Sequence, residues 1–265
     1  RSQDVFAQTF LEFSAKKVSG YRLKHGANHL RSNAAMFQRI EQQFGVAPPV
    51  LAAYWALETD FGAVTGNYPT LRALATLAYD CRRSALFRNE LIHALRIIQK
   101  GDMVAGQMKG AWAGELGQLQ FLPSGYDKHA VDYDGDGKRD LIRSKADALA
   151  SAANLLKQYG WQPRQPWLVE VKVPKQMNWS LARLGKKLPL AQWAKQGVTE
   201  VSGRPLKPSG NAALLLPMGR NGPAFLAFPN FDVMLRWNES TVYSTTAAYL
   251  ATRFAGAGQV RYGNA

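Results

Sequence analysis

The chain has one cysteine, Cys81, so it holds no intrachain disulfide, zinc ribbon or Cys-rich metal cluster. Acidic residues are scarce: 19 Asp+Glu against 33 Lys+Arg leave a formal charge of +14. That excess suits a polyanionic partner (nucleic acid, an acidic membrane face or an acidic polysaccharide) without choosing among them. Long apolar runs are missing. The longest near-continuous one, residues 50–57, falls far short of the roughly 18 residues a membrane-crossing helix needs, so no transmembrane segment is expected. The opening Arg-Ser-Gln-Asp is not a signal peptide, and a start at Arg1 rather than Met is compatible with a leader already removed. No P-loop, GxGxxG or Gly-x-Ser-x-Gly elbow occurs. The four histidines show no zincin spacing and read as structural or exposed.

What is present is ordinary globular composition: 265 residues, 46% hydrophobic and 20% charged, enough for one or two domains with real cores. Residues 1–47 read as helical, with Phe6, Phe10 and Phe13 before a break at Gly20, then a stripe of Met36, Phe37, Ile40 and Phe44 stopping at Gly45. Pro48-Pro49 opens a helix that is apolar all round and therefore buried. Helices are also expected over 71–79, 85–99 and 146–159. After Trp161 prolines crowd and 167–173 and 212–216 alternate like strands, so 161–230 reads as β-rich, with 231–254 helical again.

Glu58 follows the apolar run directly and shares a helix face with Leu51, Tyr54 and Trp55. A carboxylate on such a stripe is costly unless paired or functional, and burial would raise its pKa toward what a general acid needs. Spacing alone equally allows a buried Glu satisfied by an arginine or by helix N-terminal amides. Neither Asp60 nor Asp80 is a convincing second carboxylate. The segment from Trp112 through Gly117 and Gln120 to Tyr126 mixes small residues, amides and aromatics. That is a sugar-site mixture, or equally a tightly packed helix–loop corner. Asp132, Asp134, Asp136, the Lys138 carbonyl and Asp140 match the first nine positions of an EF-hand loop, with Gly137 at position six. Position twelve is Arg143, which cannot ligate calcium. A later carboxylate such as Asp147 closes the loop, the site is weak, or the stretch is a metal-free Asp/Gly turn.

Four pieces occur in one order: Leu57-Glu-Thr-Asp-Phe-Gly62; Trp112 to Ser124; Ala130 to Gly137; and Asn221 to Phe225 with Asn230-Phe231 and Leu235 to Tyr243. Together they make the chain, over roughly residues 30–255, resemble the lytic murein transglycosylase B family, glycoside hydrolase family 103. The resemblance implies an α+β, mainly α fold: a lysozyme-like helical core at 48–160 with an N-terminal helical part at 1–47, a small antiparallel β subdomain at 161–230, and a C-terminal helical segment at 231–265. It implies periplasmic action on peptidoglycan glycan strands, cutting the bond between N-acetylmuramic acid (MurNAc) and N-acetylglucosamine (GlcNAc) with 1,6-anhydro ring closure. Glu58 matches the family's single catalytic glutamate, and Gln120, Trp112, Tyr126, Trp237, Asn238 and Tyr243 fall among groove positions. The acidic loop falls where some members carry calcium. Ala111 replaces a common Ser, Glu115 a common Ala, and Ile142-Arg143 a more usual Trp and polar residue.

The expectation is therefore an enzyme that needs no cofactor, holds at most a weak structural calcium ion, and binds peptidoglycan and other cell-wall enzymes rather than nucleic acid. Two other readings stay open: a noncatalytic peptidoglycan-binding or scaffold protein, and a hydrolytic muramidase.

Overall fold

The computed structural model describes residues 8–207 and 209–261, so Phe6 and the rest of residues 1–7 lie outside it. Along the chain run α1 (Phe10–Lys17), α2 (Gly20–Ser32), α3 (Ala34–Phe44), α4 (Pro48–Thr59), β1 (Tyr68–Pro69), α5 (Thr70–Tyr79), α6 (Ser84–Gln99), β2 (Lys109–Gly110), α7 (Pro123–His129) and α8 (Lys145–Gln158). There follow β3 (Leu168–Lys172), β4 (Leu188–Pro189), α9 (Leu190–Lys195), β5 (Thr199–Glu200), β6 (Asn211–Leu215), β7 (Ala224–Ala227), α10 (Pro229–Trp237) and α11 (Thr241–Phe254). These helices and two small antiparallel sheets make the described chain α+β and mainly α, the class expected. No helix among the described residues is long and apolar enough to cross a membrane.

The chain forms two compact units, residues 28–158 and a second made of residues up to 27 with those from 159 onward. The sequence segments 1–47 and 48–160 each cross a unit boundary, whereas 161–230 and 231–265 fall in one unit.

The helices of residues 28–158 are joined by loops and by the two-residue pairing of β1 with β2, Tyr68 opposite Gly110. α3 buries Phe37, Ile40 and Phe44, and Gly45 closes it by donating its N–H to the Glu41 carbonyl. α4 buries every residue from Val50 to Ala56, as an all-apolar helix must. Each large side chain in that run contributes about 1.5–3 kcal/mol through removal from water. α8 presents Ala148, Ala150, Ala152 and Ala153 with no exposure, and such small residues let α3 and α4 approach closely. α5 and α6 pack side by side, and α6 also carries α7.

The second unit is built on a five-stranded antiparallel sheet, order β4-β6-β7-β3-β5. Leu214, Leu226 and Val171 meet Trp193 of α9 on one side, where the Trp193 indole donates to the Ala212 carbonyl at 2.8 Å. On the other side Phe225 sits edge-on to Phe10 at 5.7 Å, and Phe10 in turn contacts Tyr249. β6 and β7 are thus buried on both faces, so 212–216 does not alternate as expected of it: every residue from Ala212 to Leu215 is buried. The helical run expected over 231–254 is two helices. Asn238 Oδ1 accepts from Ser240 N and Ser240 Oγ accepts from Tyr243 N, so local side-chain acceptors end α10 and cap α11.

Candidate active site

Glu58 lies half-buried in the last turn of α4, and the helix around it is fixed by one residue, Gln118. The Trp55 indole donates to Gln118 Oε1 at 2.9 Å, and the Thr59 hydroxyl donates to the Gln118 carbonyl at 2.7 Å. Gln118 itself donates through Nε2 to the Ile142 carbonyl at 3.1 Å and through its backbone N–H to Leu141 at 2.8 Å. A buried amide with all these partners ties α4 to the chain beyond the acidic loop. Tyr54, one turn before Glu58, is fully buried. Burial, and after it the Glu58 charge, pushes the phenol well above its ordinary pKa, so it stays protonated beside the carboxylate.

α4 ends in three consecutive left-handed residues, Asp60, Phe61 and Gly62, with φ of 50°, 63° and 86°. The helix therefore stops at Thr59. A Cβ on Gly62 would lie 2.6 Å from Gln118 Oε1, so the clamp itself demands glycine there. The hairpin lets Phe61 fold back on Trp55 at 5.5 Å, and His29 packs on both rings at 4.8 and 4.7 Å. This gives His29 the structural place expected of it.

The Gly/Gln segment is a tight corner. Gly117 approaches Leu141 so closely that a Cβ would lie 2.4 Å from its carbonyl oxygen. Gln120 takes φ of 50° and donates Nε2 to the Thr65 and Gly117 carbonyls at 3.1 and 2.9 Å. Trp112 is 62% exposed, an open aromatic face, whereas Tyr126 is fully buried with its hydroxyl donating to the Arg139 carbonyl. Glu115 is half-buried, and its Oε2 finds no hydrogen-bond partner among the described residues. Beneath the corner, Glu90 accepts from Ser124 N and Oγ, both at 2.8 Å, at the start of α7. Asp127 is held between His93 and Lys100, and Asp102 binds the Arg139 guanidinium. Burial works to raise Asp127, but hydrogen bonds from Lys100 and His93 outweigh it and hold the carboxyl below its ordinary pKa.

In the acidic loop, Asp132 accepts from Gly135 N and Gly137 N, and Asp136 accepts from Lys138 N. Arg143 folds back onto Asp140, Nε to Oδ2 at 2.6 Å, as a cation in a ligand position would. Asp147, fully buried, receives the backbone N–H groups of Tyr133, Asp134 and Asp140. Burial raises its pKa against those bonds. Asp132, Asp134 and Asp147 each offer an oxygen within 4.8 Å of the others. The carboxylate grouping is thus completed by Asp147 from α8.

Sequence reasoning missed Gln118. Its signal was the pair Gln118 and Gln120 two residues apart, of which only the fold shows that one turns inward to Trp55 and the other toward Thr65. Trp237, Asn238 and Tyr243 lie in the second unit, half-buried at the α10–α11 break. There the Asn238 carbonyl accepts from Ser244 Oγ at 2.7 Å.

Residues 1–252 match the family described as the transglycosylase SLT domain. Membrane-bound lytic murein transglycosylase B of Escherichia coli (strain K12) is 31% identical over 240 residues, which cover 89% of this chain; the chain spans 64% of the length of that curated relative. The crystal structure of SltB3 from Pseudomonas aeruginosa in complex with NAG-anhNAM-pentapeptide superposes with a TM-score of 0.93 at 39% identity, covering 97% of this chain and 70% of that one. The Escherichia coli lytic transglycosylase Slt35 in complex with calcium matches with a TM-score of 0.79 at 30% identity, covering 93% of this chain and 78% of that one.

Proposed function

The chain belongs to the transglycosylase SLT domain family, and from that premise we propose that it cleaves the β-1,4 bond between MurNAc and GlcNAc in peptidoglycan, leaving 1,6-anhydro-MurNAc. The observation that carries this reading is the setting of Glu58: one half-buried carboxylate, on a helix end clamped by Gln118, beside a phenol that stays protonated. Glu58 donates its proton to the glycosidic oxygen as the bond to C1 breaks. The substrate's own N-acetyl group supports the electron-poor C1. The C6 hydroxyl then bonds to C1 and gives its proton back to Glu58. One residue serves as acid and then base, so no second carboxylate is needed. Gln118 positions; it does not touch substrate in this scheme.

Glycan contact in residues 28–158 falls to exposed Trp112 and to Gln120; Tyr126, fully buried on the Arg139 carbonyl, drops out of the groove positions expected from sequence. In the second unit contact falls to Trp237, Asn238 and Tyr243. The +14 charge suits a glycan carrying lactyl and peptide carboxylates. A peptidoglycan substrate supports a periplasmic site of action, and no cofactor takes part in this scheme. Asp132, Asp134 and Asp147 are the carboxylates that would hold a calcium ion, which would screen their mutual repulsion and brace the loop without taking part in proton transfer. Digestion of purified sacculi followed by mass analysis tests the reaction. The anhydro product is one water lighter than a hydrolytic product, and products of the heavier mass alone would make the enzyme a muramidase.

A further inference from the structure

The α5–α6 pair carries an exposed surface that holds none of the residues assigned above to glycan cleavage. The inner face of α6 is buried through Phe87, Glu90, Ala94 and Ile97. On its outer face, at helical spacing, stand Arg88, Ile92, Leu95 and Arg96, and both aliphatic side chains are about half exposed, at 51% and 52%. At the α5 end Tyr79 is 94% exposed, followed by exposed Arg82, Arg83 and Leu86. Acid is nearly absent: between residues 70 and 100 only Asp80 and Glu90 occur. Asp80 is bound by Arg82, and Glu90 is buried on Ser124. The charge facing solvent along this pair is therefore positive.

We propose that this face docks onto an anionic lipid surface. Large aliphatic side chains interleaved with arginines are what an interfacial helix presents: the apolar groups enter the acyl boundary, the guanidiniums meet lipid phosphates, and a tyrosine sits at headgroup level. Charge complementarity selects an anionic over a neutral surface. A glycan strand would gain from aromatic faces and amides, not from Ile92 and Leu95, so the aliphatics favour lipid over polysaccharide. Docking through this face would hold an enzyme of the cell wall at a membrane.

The test is sedimentation of the full chain with vesicles of phosphatidylglycerol and phosphatidylcholine, against vesicles of phosphatidylcholine alone. Binding is expected to the anionic vesicles only, and to weaken with added salt. Ile92→Ser with Leu95→Ser should weaken it about tenfold, and Arg88→Glu with Arg96→Glu by roughly thirtyfold or more. Both double variants should keep the parent's circular dichroism and still melt cooperatively, since none of the four side chains belongs to the buried face of α6. Absence of binding to anionic vesicles at low salt would overturn the proposal. So would an unchanged affinity in the Ile92/Leu95 variant, which would leave only diffuse charge attraction. Loss of sacculus binding in both variants, with vesicle binding intact, would assign the face to glycan instead.

Discussion

The Glu58 corner and the acidic loop lie in the same helical unit, and each gathers carboxylate, amide and glycine, yet they satisfy their polar groups in opposite ways. In the loop every aspartate accepts backbone N–H groups, and Arg143 neutralises Asp140. Those carboxylates hold structure. At the corner the polar tie is made by Gln118, an uncharged amide, and Glu58 stands on the helix that the tie holds still. A carboxylate occupied by backbone donors is a poor proton carrier, because each donor stabilises the ionised form. Burial can still outweigh the donors, as at Asp147, whose pKa is raised although three backbone N–H groups point at it, so residue type alone does not set the chemistry of an acidic group here.

The sharpest way to break that contrast is Glu58→Gln. Cleavage of sacculi should fall by about 10²–10⁴ with the melting temperature essentially unchanged, because Gln cannot deliver a proton. A variant retaining more than a tenth of parental activity would remove Glu58 from the mechanism. Asp147→Ala makes the complementary test in the loop. It strands three backbone donors, so a loss of about 4 kcal/mol in chemical denaturation is expected, while molecules that remain folded still cleave. Gln118→Ala should fall between the two. It leaves the buried Trp55 indole and the Ile142 carbonyl unpaired, costing about 3 kcal/mol, and it should lower turnover as well, because the helix end carrying Glu58 loosens. Loss of stability with fully retained turnover would show that the clamp does not position Glu58.

Smaller effects sharpen the same comparison. Asp127 has its pKa held below the ordinary carboxylate value, so its stabilisation is present above that value and disappears as pH falls through the depressed one. Stability should therefore decline from about pH 4 downward, and Asp127→Asn should flatten that decline. A decline of equal slope in the variant would place the acid sensitivity elsewhere. Least of all, calcium at about ten times its Kd should raise the melting temperature by about 3 °C through binding the folded state only, and chelation should leave cleavage rate unchanged. Titration calorimetry showing submicromolar binding would contradict a loop whose bidentate closure is replaced by Arg143.

The sequence by itself determined the elements whose cause is local. The all-apolar run behind Pro48-Pro49 has to be a buried helix, Gly45 has to end the helix before it, and Asp and Gly at alternate positions of 132–137 have to turn. It also carried the family resemblance that the comparisons bear out, and with it the α+β, mainly α class. Tertiary structure decided whatever depended on which side of the backbone a residue faces once distant segments meet. Gln118 and Gln120 are equivalent in sequence, but only the first meets Trp55, 63 positions away. Tyr126 falls among the groove positions that the resemblance implies, yet the fold turns it inward to the Arg139 carbonyl. Asp147 joins Asp132 and Asp134 only because α8 packs behind the loop. The run 231–254 divides at Asn238 because side-chain acceptors there outcompete the helix backbone. Local propensity is written in neighbouring residues and can be read from them; the partner of a buried polar group is chosen by packing, which no short stretch of sequence contains.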